Sequence, residues 1–225
     1  MRSVLPSLLI ALSLHSPHPV AACELALVLA VDVSGSVDRN EYRLQMGGLA
    51  EALRDGIVSE ALVRTKARIM LIQWTGSSRQ QVTIPWTRID GFDTVQNLAD
   101  RIETDPRIWQ NYSTAIGEAL LFSLAQFDQV PDCTRHLIDL SGDGISNEGA
   151  EPADLRQRFQ ATRVVLNALA IEESEPDLTA YFYENVIQGE GAFVVTATGF
   201  ADYPAKIRRK LLREVTRQTA WATAP

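Results

Sequence analysis

The stretch from Val28 to Val37, V-L-A-V-D-V-S-G-S-V, narrows the possible fold more than any other part of the chain. An apolar run of this kind suits a strand buried on both faces, as in parallel sheets covered by helices. The run ends in Asp32, and Gly35 lets the chain turn there. Ser34 and Ser36 follow at alternate positions. All three side chains thus fall at the carboxyl edge of a strand, where open α/β sheets bind ligands. Three oxygen donors within five residues suit a hard cation such as Mg²⁺.

Strand-like and helix-like segments alternate along the rest of the chain. Asp38, with Glu41 three residues on, predicts a capping box and a helix to Asp55, stopped by Gly56. Ala67 to Trp74 reads as a second buried strand. Gln80 to Trp86 alternates and carries Pro85, so it reads as an edge strand reached through the Gly76-Ser77-Ser78 turn. Asp93 is expected to cap a helix running to Glu103. Thr114 to Phe127 has apolar residues at helical spacing. His136 to Leu140 is the next strand, and Ser141-Gly142-Asp143-Gly144 the loop after it. A helix from Pro152 to Ala161, a strand from Val164 to Ile171, a helix from Pro176 to Val186 and a strand from Ala192 to Thr196 follow. Tyr203 to Gln218 closes the chain as a helix. Its Lys206, Arg208, Arg209, Lys210 and Arg213 read as a solvated basic face, with anionic lipid heads as the alternative. The order implies a doubly wound α/β fold, with a mostly parallel sheet, one antiparallel edge strand and helices on both faces. The 225 residues suffice for one such domain, and no repeat or linker marks a second.

A formal net charge of −7 argues against a nucleic-acid partner. Residues 1–22 read as a secretory signal peptide: Arg2, an apolar Val4 to Leu14, a break from His15 to Pro19, then Val20-Ala21-Ala22. No later segment has 18 uninterrupted apolar residues, so no transmembrane span is expected. The mature chain, 23–225, is then exported to a periplasmic or extracellular setting. Cys23 and Cys133 each precede a predicted core strand by a few residues. If those strands are parallel neighbours, both cysteines fall at one sheet edge and a disulfide is favoured in an oxidising compartment. Lipid attachment at Cys23, after Val20-Ala21-Ala22, is the alternative.

Two further loops join the first at the carboxyl side of the sheet. One is Asn111-Tyr112-Ser113-Thr114-Ala115-Ile116-Gly117, and the other Ser141-Gly142-Asp143-Gly144. An Asp-x-Ser-x-Ser, a distant Thr and a distant Asp in this order resemble the von Willebrand factor type A domain and its metal-ion-dependent adhesion site. The element order resembles it over the whole mature chain. The segments V-D-V-S-G-S-V-D, S-T-A-I-G-E-A-L and D-L-S-G-D-G-I-S-N are similar to those of a secreted bacterial subgroup of undefined function. The resemblance implies that Ser34, Ser36 and Thr114 bind a divalent cation through their hydroxyls. It implies that Asp32 and Asp143 act through bound water or at longer range. Mg²⁺ is expected first, with Mn²⁺ or Ca²⁺ as alternatives. Neutral ligands leave the metal's charge poorly neutralised, so the implied partner is a protein presenting an Asp or Glu carboxylate. Ser141-Gly142 departs from a common pattern in which a Thr precedes the final Asp.

Nucleophilic catalysis finds little support. His15 and His18 leave with the signal peptide, and His136 opens a strand at the edge away from the serines. No Gly-x-Ser-x-Gly elbow surrounds Ser34, and no Gly-rich phosphate loop or Cys/His cluster is present. The functional expectation is a non-catalytic, cation-dependent protein-binding domain of the cell envelope. A metal-assisted hydrolase using Asp32 and Asp143 is the alternative. A domain whose metal only stabilises the fold is a third reading. Trp74, Trp109 and Tyr112 are candidates for the rim of the site or for packing against the sheet edge. The partner's identity and the oligomeric state stay open.

Overall fold

In the computed structural model, residues 23–173 and 175–216 are described. The expected signal segment, 1–22, and the end of the expected final helix lie outside them. β1 (Leu25–Asp32) is buried along its whole length. Its side chains alternate between two cores: Leu25, Leu27, Leu29 and Val31 enter one, and Ala26, Val28 and Ala30 the other. Such a strand must be central and covered on both faces. It pairs in parallel with β2 (Arg68–Trp74) on one side and β4 (Arg135–Gly142) on the other. β3 (Gln80–Arg88) runs antiparallel at the edge beside β2, as its alternation and Pro85 imply. β5 (Val165–Ile171) and β6 (Val194–Ala197) extend the sheet in parallel beyond β4. The order is β3-β2-β1-β4-β5-β6.

Seven helices are found among the described residues: α1 (Arg39–Arg54), α2 (Gly56–Arg64), α3 (Phe92–Glu103), α4 (Ile116–Gln126), α5 (Arg156–Thr162), α6 (Leu178–Tyr181) and α7 (Tyr203–Thr216). The first three and α7 cover one core, and α4, α5 and α6 the other. Asp38 caps α1 in the expected box: it accepts from the Asn40 and Glu41 N–H groups, and its own N–H donates to Glu41. Gly56 does not end the helical region. Asp55 accepts from the Ile57 and Val58 N–H groups and starts α2, which the sequence reading lacks. Gly91, not Asp93, is the N-cap of α3; Asp93 lies in the first turn, where a carboxylate complements the dipole. β4 continues through Ser141 and Gly142, so the loop begins at Asp143. Pro152 opens a 3₁₀ turn ahead of α5, and α6 passes into a π turn over Phe182–Val186. No helix among the described residues is long and apolar enough to cross a membrane.

The last helix keeps Arg208, Arg209 and Arg213 exposed as expected, but Lys210 departs from that basic face. Ile207, Leu211 and Val215 enter the core, and Lys210 and Glu214 are buried beside them. Lys210 Nζ lies 2.6 Å from Asp139 Oδ1 and 2.8 Å from Glu214 Oε1. The Asn167 amide donates to that same Glu214 oxygen at 2.9 Å. Burial, then the charge of Asp139, pushes the Glu214 carboxyl up to about 8. Asp139 therefore serves α7 and not the crevice at the sheet's end.

Cys23 and Cys133 form a disulfide, their Cα atoms 4.4 Å apart. The bridge joins the chain just before β1 to the chain just before β4, and the Thr134 N–H donates to Cys23 O beside it. A bonded Cys23 has no thiol to carry a lipid, so the alternative of lipid attachment is excluded in this state.

Candidate metal centre

β1 sends the chain to β2 on one side, while β4, β5 and β6 lie on the other. Loops leaving two such strands part in opposite directions and open a crevice between their carboxyl ends. Asp32 ends β1, and Asp143 follows β4 directly. The Ser34 N–H donates to Asp32 Oδ1 at 2.7 Å. The Ser34 and Ser36 hydroxyls are 3.1 Å apart, and Ser36 Oγ donates to Asp143 Oδ1 at 2.7 Å. A Cβ placed on Gly144 would sit 3.8 Å from Thr114 Oγ1, so the threonine hydroxyl lies against the residue after Asp143. The five residues expected to act together are therefore neighbours. Asp32, Ser34, Thr114 and Asp143 are buried and Ser36 is exposed, which marks the mouth.

The donor set suits a hard cation. It offers hydroxyl and carboxylate oxygens only, and among the described residues no three His, Cys, Asp or Glu side chains cluster to hold a metal. Asp32 Oδ2 is buried and accepts no hydrogen bond. Burial, then the charge of Asp143, pushes Asp32 up to about 8, and burial also raises Asp143. A divalent cation would satisfy the orphan oxygen and offset both charges. An acid whose pKa is higher folded than unfolded destabilises the native state as pH rises. In chelator the Asp32 contribution is therefore favourable below about pH 4 and is lost as pH rises towards 8. Glu214 adds a slope of the same sign. Asp32→Asn should flatten the fall in Tm between pH 5 and 8 measured in chelator. An unchanged slope would mean that Asp32 is already ionised there.

Several residues hold the loops in place. The Arg107 guanidinium donates to Val33 O and Ser34 O at 3.0 and 2.8 Å. Gln45 donates to Asp32 O at 3.2 Å and accepts from Ser141 Oγ at 3.0 Å. Asn147 clamps Thr114 from both sides: its side chain accepts the Thr114 N–H and its N–H donates to Thr114 O, each at 2.9 Å. The Ala115 N–H donates to Thr75 O, and the Gly35 N–H to Tyr112 O. The sequence reading misses Gln45, although a polar residue on an otherwise apolar face with Tyr42, Met46 and Leu49 was a signal that could have found it. Arg107 carries no such signal, because its segment has no regular period. Of the aromatic candidates, Trp74 is fully buried, Trp109 packs against the core and Tyr112 is exposed. His136 is the second residue of β4, at the end of the strand remote from Asp143.

This strand order and crevice are those of the von Willebrand factor type A fold, and solved structures of that fold are similar. A von Willebrand factor type A protein from Catenulispora acidiphila is 19% identical, with a TM-score of 0.59, over 85% of this chain and 43% of that one. Proximal thread matrix protein 1 from the mussel byssus, with a zinc-occupied MIDAS motif, is 18% identical, with a TM-score of 0.62, over 85% and 48%. The pilus adhesin SpaC from Lactobacillus rhamnosus GG is 12% identical, with a TM-score of 0.63, over 85% and 30%. This chain thus spans less than half the length of each. No curated protein matches it in sequence. The chain belongs to the family described as "Protein of unknown function (DUF1194)", whose model matches residues 22–219.

Proposed function

We propose that the chain is a non-catalytic, divalent-cation-dependent protein-binding domain of the bacterial cell envelope. The observation that carries this reading is the chain of contacts from Asp32 through Ser34 and Ser36 to Asp143, with Thr114 against Gly144, around an Asp32 whose second carboxylate oxygen is buried without a partner. Ser34, Ser36 and Thr114 would hold the cation through their hydroxyls, with Asp32 and Asp143 acting at longer range. Mg²⁺ fits this oxygen set, as do Mn²⁺ and Ca²⁺. With neutral direct ligands the cation keeps a net positive charge towards the open side, and an Asp or Glu of a partner protein is drawn to it. The N-terminus of α4, two residues after Thr114, adds to that field. The zinc-occupied motif of the mussel protein supports a divalent cation here, and the pilus adhesin supports a binding role. The disulfide and the leader-like residues 1–22 support export. The distance of His136 from the serines supports binding over hydrolysis.

The test is thermal unfolding in chelator and then in rising Mg²⁺, Mn²⁺ or Ca²⁺. A cation at a hundredfold excess over its Kd should stabilise wild type by about 2.7 kcal/mol, and Asp32→Ala should show no saturable rise. In chelator Asp32→Ala should still fold, trading loss of a buried carboxylate against loss of the Ser34 N–H bond, so the readout is the cation-dependent rise and not the starting Tm. No saturable rise in wild type with any of the three cations would sink the cation-dependent reading.

A further inference from the structure

Charged side chains ring the mouth of the crevice, among them Glu148, which accepts from Ser113 Oγ beside the turn that carries Arg79. Glu41 has its pKa raised by partial burial first and then by the charges of Asp38, Glu173 and Asp143. On the β2 side stand Arg79 and Tyr112. The Arg79 guanidinium lies 3.8 Å from the centroid of the Tyr112 ring. Both are fixed to the candidate centre by backbone bonds. Tyr112 O accepts from Gly35, between the two serines, at 2.7 Å. The turn that carries Arg79 is closed by Arg79 N–H to Gly76 O and Thr75 N–H to Arg79 O, each at 3.1 Å, with Ser78 in the left-handed region at φ 61°. Thr75 O in turn accepts from Ala115, next to Thr114.

Arg79 is also little used within the fold. Arg54, Arg68, Arg88 and Arg208 each lie within 2.7 Å of a carboxylate. Among the described residues no carboxylate pairs with Arg79, whose guanidinium makes one long bond of 3.4 Å to Ser77 O. A guanidinium stacked on a ring keeps its edge donors free and loses little freedom when it takes a carboxylate. Its planar fork matches that group in two-point geometry.

Resting on the cation-dependent reading above, we infer that Arg79 is a second anchor for the partner. The partner segment then carries two acidic side chains, one directed to the cation and one to Arg79.

The experiment is selection from a random displayed peptide library on the immobilised, disulfide-bonded protein in Mg²⁺, with elution by EDTA. Wild type should enrich peptides with two acidic positions at one fixed spacing. Arg79→Gln should enrich peptides with a single acidic position, and a two-acid peptide from the wild-type pool should bind it about tenfold more weakly. Arg79→Lys should recover part of that loss. Melting in chelator checks that the variants fold. Peptides with a single acidic position from wild type, or the same two-acid profile from Arg79→Gln, would overturn the second anchor and leave the cation reading standing. No EDTA-eluted enrichment from wild type would overturn both.

Discussion

Lys210→Met should lower stability by about 3–5 kcal/mol, the cost of breaking a buried ion pair from one side. For a chain of this size that corresponds to a fall in Tm of about 10 °C. Lys210 is the cation between Asp139 and Glu214, all three buried, and both carboxylates keep one oxygen without a hydrogen-bond partner. Removing the ammonium leaves two acids facing each other in a dry site. The loss should be reversed by chemistry and not by volume: Lys210→Met combined with Asp139→Asn and Glu214→Gln should recover most of it. The single variant should also weaken more steeply with rising pH than wild type, because Glu214, already pushed up to about 8, loses its counter-charge. The network spans α7, β4 and β5, and Asn167 extends it by accepting the Phe193 N–H just before β6. If Lys210→Met melts within about 1 kcal/mol of wild type, the triad contributes nothing to holding α7 on the sheet.

That triad marks where sequence reasoning stopped. The apolar run ending in Asp32 was enough to place β1 at the centre, since a strand read as buried on both faces can only be covered on both. The edge position of β3 followed from Pro85 and alternation, and the α1 cap from Asp38 and Glu41. The neighbouring positions of Asp32, Ser34, Ser36 and Asp143 were legible because a parallel sheet puts every loop after a strand at one edge, whereas Thr114, between α3 and α4, was legible only through the family resemblance. Lys210 was not legible. On a helix rich in Lys and Arg, only the position of the partner strand says which charge turns inward, and Asp139 lies far from it in sequence. Asp55 failed for a local reason: a residue that ends one helix and caps the next looks, in sequence, like an end alone. Arg107 and Asn147 position the site through main-chain contacts, and such contacts leave no periodic trace. Arg79 and Tyr112 meet only because the β2–β3 turn and the loop before α4 close on the same crevice.

Removing the disulfide should have an effect as large as removing Lys210. The Cys23→Ala/Cys133→Ala variant should lose about 4–5 kcal/mol, because the bond closes a loop with a sequence separation of 110 and so restricts the unfolded chain severely. Replacing both cysteines avoids leaving one thiol unpaired, and both side chains are buried, so alanine adds no unsatisfied polar group. The bond lies at the amino end of β1 and β4, while Asp32 and Asp143 lie at the carboxyl end. The loss should therefore be global: the double variant should melt far lower, yet its cation-dependent rise should keep the wild-type midpoint. A shifted midpoint would mean that the bridge also sets the spacing of the two strands at the centre. The same bond tests where the protein works. Material recovered from the producing organism and unfolded in denaturant should resist thiol alkylation until a reductant is added, the denaturant being needed because both cysteines are buried. Material held in a reducing cytosol should react under the same denaturing conditions without reductant, and its folded form should melt like the double variant. A chain that is stable and fully alkylated in its native setting would break the argument for export, because Cys23 would then be a free thiol in a fold that does not depend on it.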